Sequence, residues 1–327
     1  MAKPILLRLL ILAAASIPFQ NLAQTAPLPK TPKSPTSSLW LFAGFKANSE
    51  DGVYYALSSD GYHWTLANGG KPIVHQTEPD ELMRDPFLQR APDNSFRMVW
   101  TWAWRSPTVL GYSSSTDLIH WTKHQQLPVM ANEPTALNAW APALYYNPAK
   151  KNWLIFWSST IPGRFPGEDS GDGKLNHRIW STTTKDFTSL TPAKVFFDPG
   201  YSVIDATLIQ PSPKTPYTLI FKDERKTPLQ KHLQTAQGPT LEGPWSKISA
   251  PISETWSEGA AIIPVQGGFL AYYDHYTKPQ HYAAIFSKDL NLPWTDATAQ
   301  IAFPEGMRHG SFLRLTQAEY DRLAALK

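Results

Sequence analysis

The sequence predicts an all-β chain folded as a five-bladed β-propeller, and two observations carry that prediction. From residue 39 onward, short segments of alternating apolar and polar residues follow one another, separated by Gly, Pro, Asn and Asp, with no long stretch of 3.6-residue period. Within them a turn signature recurs, as Ser59-Asp60-Gly61-Tyr62-His63-Trp64-Thr65, Thr116-Asp117-Leu118-Ile119-His120-Trp121-Thr122, Lys185-Asp186-Phe187-Thr188 and Lys288-Asp289-Leu290-Asn291-Leu292-Pro293-Trp294-Thr295. With a degenerate copy between Gly238 and Trp245, the spacing averages about 57 residues, a period expected of propeller repeats. Five copies imply five blades.

Each interval has the same internal order: an inner segment, an aromatic-rich second strand, then a third strand that runs through the Asp turn into a fourth. Blade one takes residues 85–89, 97–104 and 109–122, and blade two takes 143–146, 153–158 and 177–187. Blade three takes 205–210, 217–222 and 232–245, and blade four takes 260–265, 268–274 and 281–294. The last inner segment, 309–315, has no partners after it, whereas segments 39–45 and 52–65 have no inner strand before them. The two ends are therefore expected to complete the fifth blade together, which removes two open sheet edges. Thr316 and Glu319 form a capping box ahead of Tyr320 and Leu323, so a short C-terminal helix is expected.

Ahead of the propeller, residues 1–26 have the pattern of a signal peptide. Lys3 and Arg8 precede the apolar run from Leu9 to Ile17, and small residues follow at Ala23 and Ala26. Residues 27–38, with Pro27, Pro29, Pro32 and Pro35 among Thr, Ser and Lys, cannot bury a core and are expected to form a tether. The expected address is secreted or periplasmic. With no cysteine the chain has no disulfide and no thiolate zinc site, so its stability must come from packing. A formal charge of +3, reduced to +1 once Lys3 and Arg8 leave with the leader, suits neither nucleic acid nor an anionic membrane as partner. A neutral substrate fits that balance, and 13 Trp and 13 Tyr provide rings that suit sugar faces and sheet cores alike.

Three acids stand at the starts of inner segments, in Arg84-Asp85-Pro86, Ile204-Asp205-Ala206 and Ser257-Glu258-Gly259, and the repeat predicts that they share one phase and converge on the axis. Converging carboxyl groups serve glycosidic bond cleavage, in which one gives a proton while another takes one from water. With this register, residues 39 to about 320 resemble glycoside hydrolase family 43, five-bladed propellers that cleave arabinosides and xylosides with inversion. The resemblance implies Asp85 as general base, Glu258 as general acid, and Asp205 as the residue that tunes proton affinity and orients the acid. It extends to Trp140-Ala141-Pro142 in blade two and Arg308-His309-Gly310 in blade five, and departs at Ala143, where many relatives carry an acid. Glu258 must hold a proton near neutral pH, and an anionic Asp205 beside it is expected to raise its proton affinity by like-charge repulsion. Asp85 must stay ionised, and Arg84 can help only if its side chain turns inward, since neighbours on an alternating strand point apart.

Trp102, Trp140, Arg308 and His309 are the candidate substrate contacts; Trp102 and Trp104 fit inter-blade packing as well, and Trp140 fits core as well as pocket wall. No cofactor is required. A structural calcium on the axis, reached from His309 through water, is the one metal the reading leaves open. Glu242-Gly243-Pro244 falls in the outer-turn phase and is assigned to the surface, and the loop Gly167–Gly173 to the rim. The expected activity is release of α-L-arabinofuranosyl units first, and β-D-xylosyl units second, from an arabinose- or xylose-containing oligo- or polysaccharide. Two rivals stand beside it. A non-catalytic sugar-binding propeller would use the same Trp-rich funnel. A sialidase-like propeller is suggested by Ser58-x-Asp60-Gly61-x-x-Trp64, but Arg84, Arg178 and Arg308 do not share the strand phase its arginine triad needs.

Overall fold

In the computed structural model of the chain, the described residues are 38–47, 50–165, 173 and 175–327. The leader, all of the tether but Ser38, and most of the loop 167–173 lie outside them. The first strands are β1 (Trp40–Lys46), β2 (Gly52–Ser58), β3 (Thr65–Leu66) and β4 (Val74–His75). Blade one follows as β5 (Arg84–Arg90), β6 (Phe96–Thr101), β7 (Leu110–Ser115) and β8 (Gln125–Leu127), and blade two as β9 (Trp140–Asn147), β10 (Asn152–Thr160), β11 (His177–Thr184) and β12 (Lys194–Phe197). Blade three is β13 (Val203–Ile209), β14 (Tyr217–Asp223) and β15 (His232–Gly238); blade four is β16 (Ser257–Val265), β17 (Gly268–His275), β18 (His281–Ser287) and β19 (Thr295–Asp296). The inner strand of blade five, β20 (Met307–Arg314), pairs with β1, giving the order β20-β1-β2-β3 with β4 beside β2. The N-terminal strands and the C-terminal inner strand thus close the ring.

The recurring turns lie between third and fourth strands and are built by their aspartates. Asp60 Oδ1 accepts the amides of Tyr62 and His63 at 2.7 and 2.9 Å, Asp117 repeats this with Ile119 and His120, and Asp186 with Thr188 and Ser189. The degenerate copy makes only an isolated bridge, Gln237 to Ser246, which leaves blade three with three strands.

Alternating apolar side chains from facing sheets form five buried clusters, one per pair of neighbouring blades. Leu41, Tyr55 and Trp100 represent the cluster between blades five and one, and Phe42, Trp64 and Tyr272 the one between blades four and five. Across the closing seam, Ser311 of β20 accepts the Leu88 amide at 2.8 Å and donates to the Pro86 carbonyl at 3.1 Å. Helix α1 (Gln317–Ala324), capped by Thr316 and Glu319, is held to blade one by Arg90, whose guanidinium meets both Glu319 oxygens at 2.7 and 2.8 Å.

One local feature positions the chemistry. All five inner strands bulge in their opening residues: two residues oppose one at Asp85-Pro86, Ala141-Pro142, Asp205-Ala206, Gly259-Ala260 and Arg308-His309. In four of them the first bulged residue has positive φ: Asp85 (51°), Ala141 (48°), Asp205 (55°) and Gly259 (60°). A bulge bends the strand and re-aims its side chains, so these residues escape the in-and-out alternation of the sheet.

Candidate active site

The bulges set two different phases for the three acids. Asp85 and Asp205 occupy the positive-φ position, whereas Glu258 is one residue earlier, paired across the ladder with Asp274, and Gly259 takes the strained position. The expectation of a single phase is corrected accordingly. The acids still converge, because the bulge lets adjacent residues of one strand reach the same space.

His309 is the hub. Its Nδ1 lies 3.4 Å from Oδ1 of Asp85 and 3.9 Å from Oδ2 of Asp205. Burial alone would lower the proton affinity of the ring, but the charges of Asp205 and Asp85 outweigh it and bring its pKa up to about 9, so it is an imidazolium at neutral pH. Asp85 Oδ2 also accepts Thr101 Oγ1 at 2.7 Å. Against a burial that would raise its pKa, the hydrogen bond and charge of His309, with help from Arg84 and Thr101, hold Asp85 below the ordinary carboxylate range. Arg84 contributes although its guanidinium stacks over Phe45 and Trp104, 4.1 and 4.6 Å from the ring centroids, and its Nη1 lies 3.6 Å from Glu50.

Asp205 accepts the Gly259 amide at 3.0 Å, and its own amide donates to Ser158 Oγ at 3.2 Å. Burial first, then the neighbouring negative charge of Glu258, push its pKa up to about 7 against the opposing pull of His309. Glu258 goes the other way. Burial raises it, but Lys222 Nζ at 2.8 Å from Oε2 and Arg308 Nη2 at 3.3 Å from Oε1 bring it below the ordinary value. The electrostatics add a feature to the expectation that Asp205 raises the proton affinity of Glu258: Lys222 and Arg308 favour the carboxylate of Glu258, while burial and the charge of Glu258 raise Asp205 toward neutrality.

Lys222 is the principal site residue that motif reading missed. It is buried, is shared with Glu224 Oε2 at 2.8 Å, and lies 4.3 Å from the centroid of the Tyr276 ring. It belongs to a pattern. Thr101, Ser158, Lys222 and Asp274 are the ladder partners of the residues just ahead of the bulges, and each clamps the bulge of the following blade. Thr101 accepts the Ala141 amide at 2.8 Å, Ser158 the Asp205 amide, Lys222 binds Glu258, and Asp274 binds Nε of Arg308. The signal was present in the sequence as a polar residue closing the apolar run of each second strand.

The predicted aromatic contacts divide. Trp102 is 2% exposed and stacks on Trp100 in the cluster between blades five and one, so it has no open face for a sugar, and its assignment as a substrate contact is corrected. Trp104, 47% exposed, stands at the rim instead, edge-on to half-buried Trp140 at 5.8 Å. Trp140 Nε1 donates to the carbonyls of Ala103 and Trp104 at 3.2 and 3.0 Å, which fixes the ring beside the funnel. Arg308, bound to Asp274 and Glu258, lies inside the site. Glu242 is at the surface with Lys150 at 2.5 Å.

Comparison with known proteins agrees with the fold. Residues 37–321 match the family described as a probable glycosyl hydrolase domain, related to glycosyl hydrolase family 43. A curated α-L-arabinofuranosidase of Bifidobacterium longum subsp. longum is 23% identical over 188 residues, which are 50% of this chain and 18% of that protein; the chain thus spans less than a fifth of its curated relative. Among solved structures, an endo-1,4-β-xylanase from Bacteroides thetaiotaomicron superposes with a TM-score of 0.55 at 12% identity, covering 83% of this chain and 92% of that one. An α-L-arabinofuranosidase from Lactobacillus brevis gives 0.50 at 15% identity over 65% of this chain and 72% of that one. The match along 37–321, on a five-bladed ring whose inner strands carry the three acids, means that the chain belongs to the family 43-related glycosyl hydrolases.

Proposed function

We propose that the protein is an exported, inverting exo-glycoside hydrolase that removes pentosyl units, α-L-arabinofuranosyl before β-D-xylosyl, from plant cell-wall polysaccharides or their oligosaccharides. The observation that carries this is the convergence on His309, whose Nδ1 lies 3.4 Å from Asp85 and 3.9 Å from Asp205, with Glu258 held beside them by Lys222 and Arg308; Asp85 is kept ionised there and Asp205 is raised to about 7. Asp85 takes a proton from water, whose oxygen bonds to the anomeric carbon as the bond to the glycosidic oxygen breaks. Glu258, ionised at rest, takes over the proton that the pair stores on Asp205 and delivers it to that oxygen, so the proton leaves Asp205 and ends on the departing hydroxyl. Asp205 holds the proton of the pair in reserve, and attack from the face opposite the leaving group inverts the anomeric centre.

A neutral sugar suits the near-neutral chain, and Trp104 and Trp140 offer ring faces at the rim. The named activity of the Bifidobacterium relative supports arabinofuranoside as first substrate. Export rests on the leader-like pattern of residues 1–26. The test is hydrolysis of aryl α-L-arabinofuranoside and aryl β-D-xyloside, with the anomer first released followed by proton NMR. Retention of configuration, or no release from either glycoside, overturns the proposal.

One observation favours a second reading. Lys222 and Arg308 hold Glu258 ionised, which suits a non-catalytic sugar-binding propeller. Calorimetry showing tight oligosaccharide binding with no pentose released selects that reading.

A further inference from the structure

Outside the catalytic funnel, on blade four, Glu254, His275 and His281 each point one ligand atom into a common space, and all three atoms lie within 4.8 Å of one another. His275 closes β17 and His281 opens β18; they are direct ladder partners, and their rings stack at 4.8 Å. Glu254 comes from the segment leading into β16, so sequence-distant backbone meets at this point.

The partners of the two imidazoles are arranged as those of metal-bound histidines are. His281 Nδ1 lies 2.8 Å from the Pro279 carbonyl, which can only accept, so Nδ1 carries the hydrogen and in the neutral ring Nε2 keeps its lone pair. His275 Nε2 meets Thr277 Oγ1 at 2.9 Å. Its buried Nδ1 stands 3.1 Å from Glu254 Oε1 yet makes no hydrogen bond of acceptable geometry. An oxygen fixing one ring nitrogen so that the other can ligate is the usual outer shell of a metal-bound histidine. Tyr273 Oη, donating to Glu254 Oε1 at 3.4 Å, orients the carboxylate in the same way. Glu254 and His281 line an open cleft that Asp296 also lines, which adds negative charge.

We propose that Glu254, His275 and His281 form a site for a first-row divalent cation of the zinc class, with water completing the coordination. Two imidazoles and one carboxylate suit zinc, whereas calcium and magnesium take oxygen ligands. Tetrahedral zinc places its ligand atoms about 3.4 Å apart, and exposed Glu254 and His281 can close the remaining gap by rotating their side chains. The ion would clasp the approach to β16 onto the β17–β18 hairpin, where the Ser257 hydroxyl already donates to the Glu254 carbonyl at 2.8 Å and the Tyr276 amide to the Trp256 carbonyl at 3.2 Å.

The test uses the metal-free, tag-free full chain titrated with zinc chloride by isothermal calorimetry, with thermal unfolding in parallel. One zinc per chain is expected, with Kd on the order of micromolar or tighter, and affinity about tenfold or more weaker in both His281→Ala and Glu254→Gln. Both side chains are exposed, so both variants should fold. A zinc-edge anomalous peak between the three residues would locate the ion. No heat of binding, or unchanged affinity in either variant, overturns the proposal. The readout is binding alone, so it stands or fails apart from pentose release.

Discussion

Lys222 Nζ lies 2.8 Å from Oε2 of Glu258, and this buried contact determines where the proton of the site resides. With the ammonium in place Glu258 is ionised and Asp205 takes the proton, with a pKa pushed up to about 7. The proposed enzyme should therefore lose activity as pH rises through about 7, the alkaline limb reporting loss of the shared proton. In Lys222→Met that limb in kcat/KM should move up by about 1 pH unit or more, since an opposite charge within contact distance has been removed. A limb that stays put would show that Lys222 only supports structure.

Asp85, held ionised by His309 and Thr101, is the proposed base. Asp85→Asn keeps the shape and removes the charge, so turnover should fall by about 100-fold to 10,000-fold with an unchanged circular dichroism spectrum. Activity within a few-fold of the parent would exclude Asp85 from the base role.

His309 links pH to stability. Its pKa is raised to about 9 from an unfolded value near 6.5, so its contribution is fully present below about 6.5 and is lost as pH rises through 9. Asp205, raised from 3.8 to about 7, also loses stability as pH rises, in the lower window between those values. The midpoint of thermal unfolding should decline from pH 5 to 9, and His309→Asn should flatten the upper part. The full linkage for His309 is on the order of 3 kcal/mol. A midpoint that rises over that range contradicts the ion triad.

Gly259 has φ of 60°, and a Cβ there would lie 2.5 Å from Cγ of His309. Gly259→Ala combines backbone strain with a clash against the hub, so a loss of about 1–3 kcal/mol is expected in denaturant titration. Activity should fall further than stability explains. An alanine variant as stable and active as the parent would mean the bulge tolerates displacement.

Trp102 and Trp104 of blade one separate packing from binding. Trp102→Ala should cost about 3–5 kcal/mol of stability, the usual range for a buried large aromatic. Trp104→Ala should leave the unfolding midpoint nearly unchanged while raising KM for an arabinoside. Equal effects of the two on KM would contradict the assignment of Trp102 to the core.

Much of the ring was legible because each blade repeats a local rule. The aspartate turns announce themselves through Asp60, Asp117 and Asp186, whose carboxylates bind the next amides along the chain, an interaction complete within four residues. The closing of blade five followed from counting, since segment 309–315 lacked partners and segment 39–45 lacked an inner strand. The phase of Glu258 was not legible. A bulge adds one residue to a strand, and Ser257-Glu258-Gly259 reads as acid-in-phase until the ladder shows Glu258 opposite Asp274.

Blade number, closure and the identity of the acids follow from the chain's own order, because hydrophobic alternation and turn chemistry act between residues close in sequence. The protonation order of those acids does not. Asp205 is set by Glu258 and His309, and Glu258 by Lys222 and Arg308, partners between 36 and about 100 positions away. Charges act through space and burial, so only the folded ring decided that Asp205 carries the proton, that Trp102 is core, and that Trp104 faces the rim.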